Sequence, residues 1–363
     1  MTQETGFAGF KSPHIKPLDH PPKNLLDSSH YMLENLLALI GRGSSFVLTT
    51  HDTADADGIA AQLVMACVLK VRGKQVRIVN SSDVPENFAF MDTDAVIETW
   101  DENRHLALLE KSVLLVLDTA NEERTGEIGK FARQAAEVFY IDHHEPAGGS
   151  IKNGICDPAA SSTSELAVEI ALATGAKLDK TAACAAYTGI VFDTGFFAYS
   201  KTGERTFKAA LELVKLGAQP AEAYRRLCEN TPARALLLQK AAMSSLTMHC
   251  GNSVAVQVLR KEDFERTGGQ SGDTDGFVNF PLKSREVAVS LFVKESPEGK
   301  VSGSLRSKEG FNVEKIAREL GGGGHINAAG FKSKQDIDST IESAIAKVKA
   351  AMEKSGIRKE NQL

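Results

Sequence analysis

The sequence predicts an α/β fold: a parallel sheet with helices on both faces, followed by a smaller α/β domain. Three observations carry that expectation. Strand-like and helix-like runs alternate from residue 46 onward. The strand-like runs are apolar throughout rather than alternately polar, as in a sheet covered on both sides. Several of them stop abruptly in a carboxylate or an imidazole, as strands do when they deliver polar groups to the carboxyl edge of a parallel sheet.

Residues 1–22 hold four of the eleven prolines (Pro13, Pro17, Pro21, Pro22) and show no period, so an irregular arm is expected. Leu25, Leu26, Met32, Leu33, Leu36, Leu37 and Ile40 follow helical spacing and stop at Gly41-Arg42-Gly43. A strand over 46–50 leads into His51, and an Ala/Leu/Val-rich helix over 58–72 is ended by Gly73. Strands at 76–79, 113–117 and 137–141 follow, with a helix expected near 126–136. Helices are expected at 161–174, 179–192, 203–216 and 220–228, the first opening on a Ser/Thr run before Glu165 that reads as a cap. The pattern from Pro232 to about Met248 reads as a helical connector. Beyond it, strands at 254–258, 287–293 and 300–306, a helix near 312–320 and an amphipathic helix over 336–353 complete a second domain. The expected organisation is an arm (1–22), a catalytic domain (23–230), a linker (231–252) and a substrate-binding domain (253–363).

Composition excludes some function classes. A length of 363 residues suits two domains, and 42% hydrophobic with 25% charged residues is ordinary for a soluble protein. No apolar run approaches the ~20 residues needed to span a bilayer. The first residues lack an apolar signal core, so a cytoplasmic location without membrane partners is expected. The five cysteines form no CxxC pair and read as reduced structural residues. A net charge of −5 argues against a protein that coats long nucleic acid. Between Lys283 and Lys334, however, ten Lys/Arg stand against six Glu, which suits a small anionic substrate.

The chemistry follows from where the polar residues fall. Phe46–Thr50 hands over to His51, with Asp55 and Asp57 just beyond; Val113–Leu117 ends in Asp118; Val138–Ile141 ends in Asp142-His143-His144; Thr188–Phe192 ends in Asp193. One Asp after a strand is most often a cap or turn residue. Four segments that each deliver an Asp or a His together suit two divalent ions. Carboxylates dominate and no Cys contributes, so Mn²⁺ or Mg²⁺ is favoured over zinc. Such an ion pair activates a water for in-line attack on phosphorus. His144 need not be a ligand and suits a hydrogen bond to the phosphoryl group. In Gly321-Gly322-Gly323-Gly324-His325 the glycines allow close backbone approach to an anion, and His325 with Arg306 adds charge-assisted contacts.

Six motifs, HDTADAD (51–57), LDTA (117–120), IDHH (141–144), FDTG (192–195), SGSLRS (302–307) and GGGGHINAAG (321–330), occur in one order. In these the chain resembles the DHH–DHHA1 phosphoesterases over roughly residues 25–350, and within them the nanoRNase and 3′-phosphoadenosine-5′-phosphate phosphatase branch. The resemblance implies a DHH domain and a DHHA1 domain facing each other across a cleft. It implies that His51, Asp55 and Asp118 hold one Mn²⁺, and that Asp57, Asp118, His143 and Asp193 hold a second, with Asp118 bridging. Asp142 would orient the histidines and His144 would contact the scissile phosphate. Arg306, Gly322, Gly323, Gly324 and His325 would bind substrate. Two departures stand out: Thr53-Ala54-Asp55, where many relatives have a proline before the first Asp, and Gly58-Ile59-Ala60-Ala61, where relatives often place Gly-Ser.

The expected activity is Mn²⁺-dependent hydrolysis of short single-stranded oligonucleotides (nanoRNA) or of a nucleoside 3′,5′-bisphosphate (pAp), with long duplexes excluded. The alternatives are a linear or cyclic dinucleotide (pApA, c-di-AMP) phosphodiesterase, or a pyrophosphate or polyphosphate hydrolase. Pyrophosphatases with DHH motifs carry a different C-terminal domain, which counts against the last. A homodimer is the working expectation for assembly. A binding protein with a decayed site would tolerate loss of at least one Asp, and none is missing.

Overall fold

A computed structural model describes residues 26–145, 153–308 and 310–355; the expected arm at 1–22 lies outside the described residues. The chain divides into two compact units, Met1–Asn230 and Thr231–Leu363.

In the first unit, α1 (Leu26–Arg42) precedes β1 (Ser45–Thr49), α2 (Ala56–Val71), β2 (Gln75–Asn80), β3 (Ile97–Thr99), α3 (Glu102–Leu109), β4 (Val113–Leu117), β5 (Glu137–Asp142) and β6 (Gly154–Cys156). Helices α4 (Thr163–Ala173), α5 (Lys180–Asp193), α6 (Glu204–Lys215) and α7 (Pro220–Cys228) follow. All six strands are parallel, in the order β3-β2-β1-β4-β5-β6. The winding direction therefore reverses between β1 and β4, and ligands of such sheets bind beyond the strand ends at that point.

The apolar strands are explained by what covers them. Phe46, Leu48, Leu115, Leu117, Phe139 and Ile141 face a core shared with α1, α2, α4 and α5. The alternate residues Val47, Leu114, Val116 and Tyr140 face Leu109, Ile128 and Phe131 on the other side. The helix expected near 126–136 is instead two 3₁₀ segments, Glu122–Thr125 and Ile128–Gln134. Gly126 has φ +70°, and a Cβ on Gly129 would meet the Glu122 carbonyl oxygen at 2.2 Å, so the backbone turns too tightly there for a regular α-helix.

The second unit comprises α8 (Ala233–Ser244), β7 (Thr247–His249), β8 (Val254–Leu259), α9 (Lys261–Thr267), β9 (Val289–Glu295), β10 (Val301–Ser307), α10 (Glu314–Glu319), β11 (Gly323–His325), β12 (Ala328–Ser333) and α11 (Ile337–Ser355). Its sheet is mixed, ordered β11-β12-β10-β9-β8-β7, with only β8 and β9 parallel. Val289, Leu291, Val293, Val301 and Leu305 pack on Ile316, Ala344 and Val348 of α10 and α11. Phe292, on the opposite face, packs with Leu238 and Ala242 of α8 and with Phe264 and Phe277. Helix α8, expected as a connector, packs into this unit through Leu238 and Ala242, and the end of that run is strand β7.

Candidate active site

The carboxylates and imidazoles singled out in the first unit converge at the point where the winding reverses. His51 lies two residues past β1. Asp55 caps α2, and its Oδ1 accepts the backbone N–H groups of Asp57 and Gly58 at 3.0 and 3.1 Å. That leaves Oδ2 aimed at His51 Nε2, 3.7 Å away. Asp118 follows β4 directly, and β5 ends in Asp142 with His143 and His144 beyond it. Asp193 is the last residue of α5. Helices α2 and α5 approach closely at Gly189, where a Cβ would meet the Ala60 Cβ at 2.7 Å, and this brings Asp193 over the first turn of α2.

Asp118 is shared. Its Oδ2 is 3.4 Å from His51 Nε2, and its Oδ1 is 3.6 Å from His143 Nε2 and 3.7 Å from His144 Nδ1. Its backbone has φ +60°, a left-handed conformation costly for a residue with a Cβ, and one that ends the strand there. Around it lie three potential ligand groups, His51–Asp55–Asp118, Asp57–His143–Asp193 and Asp118–His143–His144. In the second, His143 Nε2 is 3.9 Å from Asp57 Oδ2 and 3.4 Å from Asp193 Oδ2. Asp142 belongs to none of the three. Its Oδ1 accepts the backbone N–H of His144 at 3.1 Å and pairs with His144 Nδ1 at 2.7 Å, fixing that ring.

Two anchors were not evident in the sequence. Asp57 is held by the start of α4: the backbone N–H groups of Thr163 and Ser164 donate to its two oxygens at 2.7 and 2.8 Å. The Thr163 hydroxyl donates to Asp118 Oδ1 at 2.9 Å. The run Ser161-Ser162-Thr163-Ser164 does cap α4, through Ser162 Oγ on the Glu165 N–H, but its reach to residues 57 and 118 is a tertiary contact. Lys201 Nζ donates to the His143 carbonyl at 3.4 Å.

The electrostatics test whether divalent ions suit this cluster. Burial, then the charge of Asp55, pushes Asp57 up to about 6. Burial and Asp57 push Asp193 up to about 8 and Asp118 well above the usual carboxylate range. Burial alone would lower His51, but hydrogen bonds to Asp118 and Asp55 outweigh it and raise the ring to about 10. Burial and the neighbouring His144 bring His143 down to about 4, which leaves it neutral and able to offer a lone pair. Crowded, buried carboxylates that resist ionisation lack compensating positive charge. A pair of oxygen-preferring divalent ions would supply it, and the donor set of carboxylates and imidazoles without thiolate suits Mn²⁺ or Mg²⁺.

Comparison with known proteins agrees with this geometry. The DHH family N-terminal domain matches residues 45–190 and the DHHA1 domain matches 251–354. A relative from Streptococcus mutans, named a probable bifunctional oligoribonuclease and PAP phosphatase, is 30% identical over 62% of this chain and 71% of its own. The chain belongs to the DHH family. A second relative in the family, the bifunctional oligoribonuclease and PAP phosphatase of Thermus thermophilus, is 28% identical over 85% of this chain and 90% of its own. The crystal structure of an exopolyphosphatase-related protein from Bacteroides fragilis covers 91% of this chain and 98% of its own at 26% identity, with a TM-score of 0.83.

The remaining expected site residues lie on the sheet of the DHHA1 unit. Arg306 of β10 and His325 of β11 both pair with Ala328 of β12, so the two side chains flank it on one face. Leu305, Ala329 and Phe331 occupy the opposite, buried face. The glycine run, expected as an open anion-binding loop, is partly a strand: Gly323 and Gly324 pair with Gly330 and Ala329. Its glycines have a packing reason. A Cβ on Gly322 would meet the Gly330 carbonyl oxygen at 2.0 Å, and one on Gly324 (φ +146°) would meet that of Ala328 at 2.5 Å.

Proposed function

We propose that this DHH-family chain is a metal-dependent phosphohydrolase acting on short single-stranded oligonucleotides and on nucleoside 3′,5′-bisphosphates such as pAp. The observation that carries the reading is Asp118, whose two oxygens face two different His/Asp groups from one fixed backbone position. His51, Asp55 and Asp118 would hold one Mn²⁺ or Mg²⁺, and Asp57, Asp118, His143 and Asp193 the other. Bound there, the ions supply water acidification and neutralisation of charge on the phosphoryl oxygens.

The chain's own groups do the positioning. Capping of α2 fixes one Asp55 oxygen and leaves the other for the site. The start of α4 orients Asp57, and the Thr163 hydroxyl steadies Asp118. Asp142 engages His144 Nδ1, so His144 Nε2 is left to hydrogen-bond a phosphoryl oxygen and stabilise charge as it develops. Arg306, Gly322, Gly323, Gly324 and His325 would bind a terminal phosphate or nucleotide. Two relatives named as oligoribonuclease and PAP phosphatase, similar over most of the chain, support this substrate class over pyrophosphate.

The test is a substrate panel of pAp, ribonucleotides two to five units long, pApA, c-di-AMP and pyrophosphate, with Mn²⁺ or with EDTA, and products resolved by chromatography. Mn²⁺-dependent release of phosphate from pAp, or of mononucleotides from the short RNAs, is expected. Hydrolysis confined to pyrophosphate or c-di-AMP, or turnover indifferent to EDTA, would overturn the reading.

A further inference from the structure

The segment from Asp193 to Lys201 is tied to the site at both ends. Asp193 Oδ2 is 3.4 Å from His143 Nε2, and Lys201 Nζ reaches the His143 carbonyl oxygen at 3.4 Å. Between them the backbone is unusual. Gly195, Phe196 and Phe197 take φ of +54°, +59° and +64° in succession, a left-handed turn that aromatic residues strongly disfavour. Such conformations persist where the surroundings enforce them, and they cluster at binding sites.

The turn sorts the aromatic rings. Phe197 goes inward, stacked on Phe207 with centroids 5.2 Å apart, and its N–H is held by the Thr194 hydroxyl oxygen at 3.1 Å. Phe196 goes outward against Tyr224. Tyr199 folds back onto Gly195. A Cβ there would lie 2.4, 2.6 and 2.7 Å from three carbons of the phenol ring, and such near-equal distances place the glycine over the ring's face, not its edge. Only a glycine admits that approach. Tyr199 as a whole is nonetheless 63% exposed, which leaves the ring's other face open. Gly195 is two residues from Asp193, which puts the ring within ~11 Å of the Asp193 Cα.

We propose that Tyr199 is a stacking platform for the nucleobase of the nucleotide whose phosphate enters the Asp/His cluster; this rests on the function proposed above. A rigid aromatic ring with one face backed by the chain and the other open suits any base, because every base has a π-face. Tyr199 would then favour nucleotides over base-free phosphates without selecting among bases. It is a substrate-positioning residue and takes no part in bond breaking.

The test compares pAp with its base-free analogue, a ribose 3′,5′-bisphosphate, in wild type, Tyr199→Phe and Tyr199→Ala. Removing the base should cost the wild type roughly 5- to 150-fold in kcat/KM, mainly through KM. Tyr199→Phe should keep that discrimination and Tyr199→Ala should lose most of it. Independently of turnover, the 2-aminopurine analogue of pAp should be quenched on binding to wild type and Tyr199→Phe loaded with Ca²⁺, and not by Tyr199→Ala loaded likewise. Undiminished discrimination or quenching in Tyr199→Ala, or no quenching by the wild type, overturns the platform. Tyr199-dependent quenching in a wild type that hydrolyses neither compound would overturn the proposed reaction and sustain the platform.

Discussion

Asp118→Asn separates what this carboxylate does for the fold from what it does for the chemistry. Asparagine is the appropriate substitution, because it tolerates the left-handed backbone at φ +60° that alanine would strain. It also keeps an acceptor for the Thr163 hydroxyl. It loses the charge, and it can present an acceptor oxygen towards His51 or towards His143 but not both. Asp118 is 2% exposed, and burial with Asp57 beside it raises its proton affinity well above normal, so the metal-free fold carries it at a cost. Metal-free Asp118→Asn should therefore melt no lower than the wild type.

The metal-bound protein should behave oppositely. An ion present at 100 times its dissociation constant stabilises by ~2.7 kcal/mol, or ~5–11 °C in melting temperature for a unit of this size. Asp118→Asn should lose most of that Mn²⁺-induced rise. With ~1.36 kcal/mol per tenfold in rate, the loss of several kcal/mol of transition-state stabilisation predicts a fall of ~10²–10⁴ in kcat/KM, or more. Asp193→Asn, which touches one group only, should be no more damaging. Thermal scans with Mn²⁺ and with EDTA, beside kinetics on pAp, read both effects. Near-normal Mn²⁺-dependent turnover in Asp118→Asn would refute the bridging assignment.

Three further outcomes follow from the same geometry. His144→Ala should retain two Mn²⁺ per chain by elemental analysis while turnover collapses; loss of one ion would make His144 a ligand. Arg306→Ala should lower kcat/KM on pAp or a dinucleotide by roughly 10- to 150-fold and hardly affect bis-p-nitrophenyl phosphate, since a charge-assisted phosphate contact is worth ~1.5–3 kcal/mol; equal losses on both substrates would count against a substrate-binding role. The metal-free protein should lose melting temperature as pH rises from 6.5 to 8. Asp193, raised to about 8, and His51, raised to about 10, hold protons in the folded state that the unfolded chain releases across this window or below it, and they outweigh His143, lowered to about 4, whose opposing slope fades as pH rises past the ordinary histidine range. Saturating Mn²⁺ displaces those protons and should flatten or reverse the trend; a metal-free melting temperature that rises across this window would contradict the assigned shifts.

Much of the first unit was legible because its strands are long apolar runs with abrupt polar ends. Val113–Leu117 and the run ending at Asp142 were found for that reason, and the residues just beyond them are the ones the fold brings together. What the sequence hid was short or glycine-bearing. Strands β3 and β6 are three residues each, too brief for a period to register. Strand β11 is Gly323-Gly324-His325, a composition that argues against a strand until its neighbour is known, because only the close approach to β12 demands glycine there. Near residue 126 a helix was expected, and Gly126 and Gly129 break that stretch into tighter turns.

The site divides along the same physical line. Residue types report which groups can bind a cation, and here a carboxylate or imidazole after each of four apolar segments was enough to find them. They do not report what holds those groups. Asp57 is aimed by backbone N–H groups more than a hundred residues away, and Asp142, itself in none of the potential ligand groups, orients His144. Asp118 carries the point furthest. Nothing in Leu117-Asp118-Thr119 signals a left-handed residue, since the usual marker is glycine or asparagine. A glycine would relieve the backbone and remove the carboxylate, and an asparagine would relieve it and remove the charge. Keeping aspartate at φ +60° accepts local strain to place one charged group between two sites, so agreement between sequence and local conformation fails where the chemistry requires it to.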